Sequence, residues 1–592
     1  MPDSAPPPVV LFDGDCAFCR LWVGYWRERT AERLEFAPWQ SSLQRFPGIT
    51  PDQCRTAVQW IAPQRHAGGA EAVFLILSLV TSHAWLLWLY QESQVFASLA
   101  EWAYSVVAAH RAMGYRLTRL LWGQSVQVST YSRPVLWFRR GLAAIYIFAF
   151  ASFGMQARGL IGENGILPLG IYLGVAKAQL GSIALWRVPT LFWWGHSDYI
   201  ILSISWGGVA LAFLALVARN RSRWYPALFT VLFVYYLSLV SAGQLFMGYQ
   251  WDFLLLEAGF LAIFLRPSKP RVWLLHWLLF RLLFESGLAK LVSHDAAWHN
   301  LTALTFHYQT QPLPTPLAWF VHRAPLWFQK LSALALFAVE LVVPFLIFGP
   351  RRMKQAAAVA IVTLQVLIAL SGNYTFFNLL TMVLCIPLFD DAAWPGIPLT
   401  AIPETSARPW LSRALVMLVL VLSVPQLLAM AGYEIPTSAD LLESFARFGI
   451  VNQYGLFATM TTTRPEIQVE GSLDGEHWEP YVFRYKPGPL NRAPAWIAPF
   501  QPRLDWQMWF AALRTFKENP WFARLALALL QGSAPVNDLF AQTPFGGMRP
   551  KFVRATVDLY RFTTPAERAR TGNWWQREPH GMYFPPVSLR AR

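Results

Sequence analysis

Residues 272–290 read VWLLHWLLFRLLFESGLAK and decide the fold class of the chain. A mostly apolar run of this length can cross the roughly 30 Å hydrocarbon core of a bilayer as a helix. Arg281, Glu285 and Lys290 interrupt the run, and ionisable side chains in a span face the interior of a helix bundle. The stretch therefore predicts one span of a polytopic α-helical membrane protein.

The composition of the whole chain agrees with lipid as its main solvent. Of 592 residues, 55% are hydrophobic and 14% are charged, whereas soluble domains carry about 25% charged residues. This composition, with 29 Trp and 42 Phe, excludes a disordered chain and argues against a simple soluble enzyme. Four cysteines are too few for a disulfide-stapled scaffold. The net charge of +15 indicates nucleic acid only if the charges cluster.

About nine spans are predicted in series, and the loops between them test this prediction. The spans lie near residues 141–156, 198–218, 225–243, 251–265, 272–290, 328–348, 355–371, 374–389 and 411–431. The segment before the first span and every second loop after it carry the basic residues, which are Arg133, Arg139, Arg140, Arg219, Arg221, Arg223, Arg266, Lys269, Arg271, Arg351, Arg352, Lys354, Arg408 and Arg413. Loops 243–250 and 372–373 carry none. Since Lys and Arg favour cytoplasmic loops, the N-terminus is expected in the cytoplasm and the tail outside.

Residues 1–130 are predicted to form an α/β domain ahead of the membrane region. Strands near 9–12, 34–39 and 56–61 with a helix over 20–29 give a βαβ opening. Residues 72–90 are long enough to span a membrane. Ser78, Thr81, Ser82 and His83 interrupt that segment, so two packed helices of the soluble domain are preferred. Residues 99–121 are predicted as one amphipathic basic helix.

Residues 433–592 follow the predicted membrane region, 131–432, and turn polar again. Strands are predicted at 466–470, 478–485 and 551–560, and helices at 506–516 and 522–531. The tail is therefore expected to be an extracytoplasmic α+β domain.

Cys16 and Cys19 form a CxxC pair where the first strand turns into a helix. A helix N-terminus favours a thiolate on the first cysteine, and two thiols one turn apart can exchange with a disulfide. Asp13 and Asp15 oppose the thiolate by their charge. A reduced structural pair is the alternative. Zinc would need two further ligands, for which Cys54 and His66 are poorly spaced, so no metal or cofactor is expected.

This opening resembles the thiol-disulfide oxidoreductase DCC family, a thioredoxin-like group. The resemblance covers about residues 8–125 and rests on FDGDCAFCR at 12–20 and GAEAV at 69–73. It implies that Cys16 and Cys19 are the redox pair and that residues 72–90 are soluble helices. No Thr-Pro pair directly precedes the third strand, where thioredoxins hold a cis-proline.

Ionisable residues in and beside the spans form the second candidate site. The candidates are Glu257, Arg281, Glu285, Lys290, His294, His299 and His307. One interpretation is ion pairing inside the bundle: Arg281 with Glu285 at i, i+4, and Lys290 with Glu257 or Glu340. The other is a polar site on the outer side, where His and Asp side chains could act as acid and base. The His spacing gives no metal signature.

Basic and aromatic residues alternate in the tail and form the third candidate site. Such patterns can bind nucleic acid, but outside the membrane this reading is rejected. Interfacial Trp side chains and a folded core explain the aromatics, and a protein-binding surface is the alternative because Trp and Arg dominate hot spots. The candidate residues of this protein-binding surface are Arg503, Asp505, Trp506, Trp509, Trp574 and Trp575.

From about 135 to 580 the chain resembles the lipase maturation factor family. The resemblance rests on GLIGENGILP at 159–168, WDFLLLE at 251–257, SGLAKL at 286–291, LTAL at 301–304, HYQTQPLP at 307–314, GNYTFFN at 372–378, VEGSLDG at 469–475, PRLDWQMWF at 502–510, NPW at 519–521 and RTGNWW at 570–575. It implies a role in folding and assembly of secreted lipases, with a tail that binds the client. A fainter likeness around Lys290 runs to vitamin K-dependent carboxylases.

Two functions are therefore expected as alternatives. The first is a membrane maturation factor for exported lipases or related clients, with an attached thiol-disulfide oxidoreductase-like domain. The second is a membrane enzyme, either a CxxC protein-disulfide reductase or an enzyme with an outer-face site near Lys290 and His307. The expected partners are the lipid bilayer and an exported client. A bacterial cytoplasmic membrane is favoured over an ER membrane, because two modules share one chain.

Overall fold

The structure is a computed structural model that describes residues 7–63, 65–80, 84–124, 126–218, 223–394, 409–433, 435 and 439–589. Thr81, Ser82, His83, Arg219, Arg221 and Arg408, which the predictions use, lie outside these residues. The chain packs as two compact units, residues 1–130 with 349–355, and residues 131–348 with 356–592. The second unit contains both the predicted membrane region and the predicted tail.

A four-stranded sheet organises the first unit. Its strand order is Glu35–Pro38, Val9–Phe12, Gln59–Ala62 and Arg65–Gly68. Val9–Phe12 runs parallel to Glu35–Pro38, joined by the helix Ala17–Thr30, and antiparallel to Gln59–Ala62. The βαβ opening is thus present. The third strand begins at Gln59, later than predicted, because Thr50 caps the short helix Pro51–Thr56 in front of it.

Helices complete this unit, and no described one has the length and apolarity of a membrane span. Residues 72–90 form parts of two helices, Gly69–Ser78 and Ala84–Glu92, as preferred from the sequence. The helix predicted over 99–121 is in fact two, Gln94–Ala109 and Arg111–Trp122. The chain leaves helical geometry at His110, which separates them.

Eight described helices of the second unit are long and apolar enough to cross a membrane. They are Ser132–Gly154, Leu169–Arg187, Asp198–Val217, Tyr225–Ala242, Lys269–Val292, Leu326–Leu346, Arg351–Ser371 and Trp410–Met430. Two predicted spans, 251–265 and 374–389, correspond to shorter apolar helices, Gln250–Phe264 and Phe377–Leu388. One long apolar helix, Leu169–Arg187, was predicted as a loop.

Hydrogen bonds show that both shorter helices run the length of the bundle. Leu265, after the first, accepts from Arg139 Nη2 at 2.5 Å. Asp391, after the second, accepts from the backbone N–H groups of Ser132 and Arg133 at 3.0 and 2.7 Å. We call this the basic end, defined by Ser132, Arg139, Leu265 and Asp391.

The opposite end, called the tail end, is defined by Gln156, Asp252, Asn373 and the tail residues they bind. Gln156 Oε1 accepts from the backbone N–H of Arg503, 2.9 Å away, and Arg503 also pairs with Asp252. Asn373 Nδ2 donates to the carbonyl of Ala495 at 2.8 Å. Both short helices therefore begin at the tail end and finish at the basic end.

Leu169–Arg187 does not traverse the bundle, although it has the length and apolarity to do so. Asp198, which follows it, accepts from Arg158 Nε and the Glu163 backbone N–H, both of which precede it, at 3.3 and 2.8 Å. A Cβ atom on Gly170 would lie 2.8 Å from His196 Nε2. Both ends of this helix thus lie at the tail end. In the described part of the chain, seven of the long helices and the two short ones run between the two ends, which is consistent with the prediction of about nine spans.

The tail contains a four-stranded sheet and, among the described residues after Ser472, three helices of seven residues or more. The sheet order is Trp575–Ser588, Phe552–Phe562, Pro465–Ser472 and Glu479–Pro480. A second pair joins Val482–Phe483 to Phe540–Gln542, so the strand predicted at 478–485 divides between two sheets. The helices are Arg503–Ala512, Trp521–Leu530 and Pro565–Thr571. The longest strand, Trp575–Ser588, was not predicted.

A non-helical segment, residues 449–455, enters the bundle between its helices. Gly449 has φ +60°, and a Cβ there would lie 2.7 Å from Leu256 Cδ1, so only glycine fits this approach. The segment reaches Glu257, about 10 Å along its helix from Gln250 at 1.5 Å per residue. Irregular backbone at membrane depth must be enclosed by protein and fully hydrogen-bonded.

A buried ion pair joins the tail to the membrane helices. The Arg503 guanidinium donates to both carboxylate oxygens of Asp252 at 3.0 Å and to the Phe246 carbonyl at 2.5 Å. Tyr236 donates its hydroxyl to Asp252 at 2.5 Å. Both charged side chains are fully buried. The bidentate geometry and the additional hydrogen bonds offset the free energy lost by removing both charges from water. Loss of either partner would leave the other charge buried and unpaired, which is strongly destabilising.

We predict that Arg503→Met lowers the free energy of unfolding by about 3–5 kcal/mol, because it leaves Asp252 buried without its partner. Denaturant unfolding of the full chain in mixed micelles measures this. Asp252→Asn combined with Arg503→Met should recover part of the loss. Arg187→Met is the matched control, since Arg187 pairs with the exposed Glu443 and its loss should barely move the midpoint. Equal effects of Arg503→Met and Arg187→Met would contradict the prediction.

Candidate functional site

The two cysteines of the CxxC pair meet at the start of the helix Ala17–Thr30. Their Sγ atoms lie 2.6 Å apart, and both cysteines are free thiols. The backbone N–H of Cys19 donates to Cys16 Sγ at 3.2 Å. Arg20 Nη1 donates to the Gly14 carbonyl at 2.6 Å and fixes the turn before the pair. The arrangement can form a disulfide without a change of fold.

Two side chains from elsewhere in the unit contact the acidic turn beside the cysteines. Gln40 Nε2 donates to Asp13 Oδ1 at 2.7 Å and to Asp15 Oδ2 at 3.3 Å. Arg111 pairs with Asp13 at 3.4 Å. The predicted opposition of Asp13 and Asp15 to a thiolate is thus reduced. Neither Gln40 nor Arg111 could be found from the CxxC motif, because the fold brings them from 25 to 98 residues away.

Cys19 differs from Cys16 in its surroundings. Burial, with the adjacent Cys16, raises the pKa of the Cys19 thiol to about 12. Cys19 lines a cavity of about 260 Å³ together with Trp22, Cys54, Tyr104 and Arg111. Cys19 is therefore protonated at neutral pH, which fits the buried partner in a CxxC pair.

Metal binding has no support among the described residues, where no three His, Cys, Asp or Glu side chains form a group that could hold an ion. Cys54 is only 1% exposed and burial raises its pKa. His66 Nε2 lies 3.0 Å from Gln59 Oε1.

The ionisable residues in the spans divide into two separate clusters. In the first, Arg281 pairs with Glu257, not with Glu285 as the i, i+4 spacing predicted. Arg281 Nη1 donates to the Asn452 carbonyl, and Glu257 accepts from the Asn452 backbone N–H, both at 2.9 Å. Glu285 accepts the Tyr454 backbone N–H at 2.9 Å. These charges hydrogen-bond the inserted segment 449–455, which gives them a structural role.

The second cluster lies in a larger cavity of about 610 Å³, called the membrane cavity. Its walls come from Lys269–Val292, Leu326–Leu346 and Arg351–Ser371. Lys290 Nζ donates to the two Glu340 carboxylate oxygens at 3.0 and 2.9 Å and to the Ser286 carbonyl at 3.0 Å. All three of its N–H directions are engaged, so Lys290 is not a free base.

Glu340 enters the cavity from an irregular turn of its helix. Ala338–Val342 is a π-helical turn. Pro344 has no N–H to donate to the Glu340 carbonyl four residues earlier, which disrupts regular α-helical bonding there. π-Turns are frequent at functional sites. The sequence placed Glu340 among the possible partners of Lys290 but gave no sign of the π-turn.

His307 lines the same cavity from the tail end, in the helix Ala303–Thr310. Tyr374 hydroxyl lies 3.0 Å from His307 Nε2 and 2.8 Å from Gln311 Oε1. Burial and the nearby Lys290 lower the pKa of His307 to about 4, so the ring is neutral. His294 and His299, predicted at this site, are exposed and do not line the cavity.

Most residues predicted as a client-binding surface lie in the core of the second unit. Arg503, Asp505, Trp506, Trp509 and Trp575 are all buried. Arg503 pairs with Asp252, and Trp509 Nε1 donates to the Thr310 carbonyl at 2.8 Å. A client cannot contact these side chains in this structure, which corrects their assignment to a surface. Trp574 is partly exposed and stacks against Arg568, whose Cζ lies 3.6 Å from its ring centre.

Three family models match successive parts of the chain. Residues 10–118 match a DCC1-like thiol-disulfide oxidoreductase. Residues 133–396 match the lipase maturation factor transmembrane domain, and residues 450–585 match the lipase maturation factor C-terminal domain. The inserted segment 449–455 thus stands at the start of the third match.

Similar proteins agree with the family models. Lipase maturation factor 2 of Rattus norvegicus is 36% identical over 77% of this chain and 83% of its own length. The Homo sapiens protein of the same name is 37% identical over 76% and 82%. Lipase maturation factor 1 of Bos taurus is 36% identical over 76% and 88%. No solved structure matches the chain. The chain therefore belongs to the lipase maturation factor family and carries a DCC1-like thiol-disulfide oxidoreductase domain at its N-terminus.

Proposed function

We propose that the chain is an integral membrane maturation factor that assists the folding and assembly of an exported lipase or related client. The relatives named lipase maturation factors carry this proposal, because the similarity extends over both the membrane region and the tail. The buried contacts of Arg503 and of segment 449–455 with the membrane helices also support the proposal. They fix the tail at one end of the bundle.

The proposed orientation places the basic end in the cytoplasm and the tail outside. The basic residues Arg139 and Arg271 stand near one end of the bundle, as the positive-inside rule requires of cytoplasmic ends. Nine crossings put residue 131 and the tail on opposite sides. The functional regions are accordingly 1–130, 131–432 and 433–592. The relatives come from animals, which gives no support to the bacterial membrane favoured from the sequence.

The proposed client-binding residues are the Arg and Trp side chains of residues 568–575 that remain accessible. Trp574 is partly exposed, Arg568 stacks on it, and Arg570 is exposed nearby in sequence. Trp and Arg contribute disproportionately to protein–protein binding. Arg568 also lies 4.7 Å from the Trp319 ring centre, so this surface spans the tail and a loop of the membrane region.

The DCC1-like domain is proposed to act as a thiol-disulfide oxidoreductase on its own side of the membrane. In the proposed orientation Cys16 and Cys19 face the cytoplasm, away from the client. A direct exchange between this pair and an exported client is therefore not part of the maturation activity.

We predict that Trp574→Ala combined with Arg570→Ala abolishes most of the gain in secreted lipase activity that the chain provides. The assay uses cells that lack their own maturation factor and express one lipase with the full chain. Trp496→Ala is the control, because Trp496 is 55% exposed and is not one of the proposed client-binding residues. The protein level and the thermal midpoint of the double variant and of the control should equal those of the wild-type chain. Full lipase activity with the double variant would refute the proposed surface.

We predict that Cys16 is alkylated well before Cys19 at about pH 8. The raised pKa leaves Cys19 almost entirely protonated, and only the thiolate reacts. Pulse labelling with iodoacetamide and peptide mass spectrometry give both rates, and Cys54 serves as the buried control. Cys19 should gain reactivity only at a clearly higher pH, because burial raises its pKa. Equal rates for Cys16 and Cys19 at pH 8 would contradict the assignment.

We also predict that Cys16→Ser combined with Cys19→Ser leaves lipase maturation unchanged, because the thiols and the client lie on opposite sides. The same secretion assay measures this. A loss of secreted activity with normal protein level would show that the pair takes part in maturation and would overturn the proposed division of roles.

A further inference from the structure

The membrane cavity opens toward the lipid-facing surface of the bundle. Its volume of about 610 Å³ falls within the range of about 300–1,000 Å³ that small-molecule sites occupy. Leu317, Phe328, Leu367 and Leu370 line it and are 38–58% exposed. Phe328, Leu367 and Leu370 belong to the candidate spans Leu326–Leu346 and Arg351–Ser371. Since bilayer lipid surrounds these helices, the mouth of the cavity meets acyl chains rather than water.

The charges inside the membrane cavity cancel. Lys290 and Glu340 are its charged lining residues, and they pair with each other at 2.9 Å. His307 is neutral because burial and Lys290 lower its pKa. Any ionised group of a ligand, including those of a zwitterionic head, would therefore be buried without a counter-charge, which is strongly unfavourable. An uncharged ligand avoids this cost.

His307 Nδ1 is a hydrogen-bond acceptor in the cavity to which no described residue donates. Gln311 Nε2 donates to the carbonyls of Ser371 and Tyr308, which fixes the amide so that Oε1 accepts from the Tyr374 hydroxyl. Tyr374 has then used its only proton, so His307 Nε2 must be the donor to the Tyr374 oxygen. The neutral ring therefore carries no proton on Nδ1. No described residue donates to that atom, and His307 lines the cavity.

We propose that the membrane cavity binds one single-chain, uncharged lipid whose head donates a hydrogen bond to His307 Nδ1. The acyl chain lies against the apolar walls formed by Leu283, Leu336 and Leu364. A monoacylglycerol and a protonated fatty acid both have this chemistry. A diacyl phosphatidylcholine does not, because its head would bury an ionised phosphate and an ionised ammonium group without counter-charges and has no hydrogen-bond donor. The inference does not depend on the proposed maturation function, because it concerns a ligand of the membrane helices.

Photocrosslinking of the full chain in dioleoylphosphatidylcholine nanodiscs tests the proposal. The probe is 1-monooleoylglycerol with a diazirine in its acyl chain, and crosslinked peptides are mapped by mass spectrometry. We expect labels in peptides that line the cavity from Lys269–Val292, Leu326–Leu346 and Arg351–Ser371. Unlabelled monooleoylglycerol should compete, and lysophosphatidylcholine with the same chain should not. Labels confined to other helices, or equal competition by lysophosphatidylcholine, would overturn the proposal.

Two cavity-filling variants separate binding in the cavity from binding to the protein surface. Ala360→Phe and Ser332→Phe add bulk on opposite walls. Each should reduce crosslinking about tenfold, since the chain loses the burial of several methylene groups. Ala356→Phe is the matched control on the same helix as Ala360, at an exposed position outside the cavity. If both filling variants keep their thermal midpoint and full crosslinking, the cavity is not the site.

A head-group variant tests the role assigned to His307. His307→Phe should weaken competition by monooleoylglycerol about threefold to tenfold, the range for one neutral hydrogen bond. Methyl oleate, which has no donor, should compete weakly and equally against both proteins. Competition by oleic acid at a pH below its pKa is compared with competition by monooleoylglycerol. The stronger competitor shows whether a fatty acid or a monoacylglycerol is the preferred ligand. Methyl oleate competing as well as monooleoylglycerol with the wild-type chain would refute the hydrogen bond to Nδ1.

Discussion

The structure depends on one constraint, that a backbone group at membrane depth must find a hydrogen-bond partner inside the protein. Segment 449–455 brings irregular backbone between the helices, and membrane-helix side chains bond it there. Glu257 and Glu285 accept the N–H groups of Asn452 and Tyr454, and Arg281 donates to the Asn452 carbonyl. These carboxylates and this guanidinium would be costly in lipid. The hydrogen bonds to segment 449–455 stabilise these charged side chains, and the same hydrogen bonds satisfy the backbone groups of the segment.

This reciprocal arrangement explains why the membrane region and the tail form a single compact unit. The ion pair between Asp252 and Arg503 is a second buried contact between the membrane helices and the tail, at the tail end. Arg464, fully buried, donates to the carbonyls of Gln309, Gln311 and Pro312. Gln311 in turn orients Tyr374 beside the membrane cavity. The tail is therefore in hydrogen-bonded contact with the loop that shapes the cavity.

The sequence contains enough information to predict about nine spans, the CxxC domain and the family, because each depends on local composition or motif. The short helix Gln250–Phe264 was predicted as a span, and its contact partners Arg139 and Arg503 confirm that it traverses the bundle. Leu169–Arg187 was missed because its long apolar run returns to the same end, a property set by the distant contacts of Asp198. Periodicity carries no information about such contacts.

Pairing of charges was the least predictable feature, for the same physical reason. Arg281 has Glu285 one turn away, yet it contacts Glu257 on a neighbouring helix. Arg503 and Trp509 match a binding-surface pattern, but the tail's own docking buries them. Aromatic and basic residues serve interfaces within a chain as readily as interfaces between chains. Only the three-dimensional contacts decide which of the two uses applies.

Cleavage of the chain between the last membrane helix and the tail tests the central claim most directly. A protease site inserted between Tyr433 and Ala439 separates the membrane region from the tail without touching their buried contacts. After cleavage in mild detergent, the account predicts that the tail fragment co-elutes with the membrane region in size-exclusion chromatography. In Arg503→Met combined with Arg281→Met the fragments should separate. Elution of the wild-type tail on its own after cleavage would contradict the account.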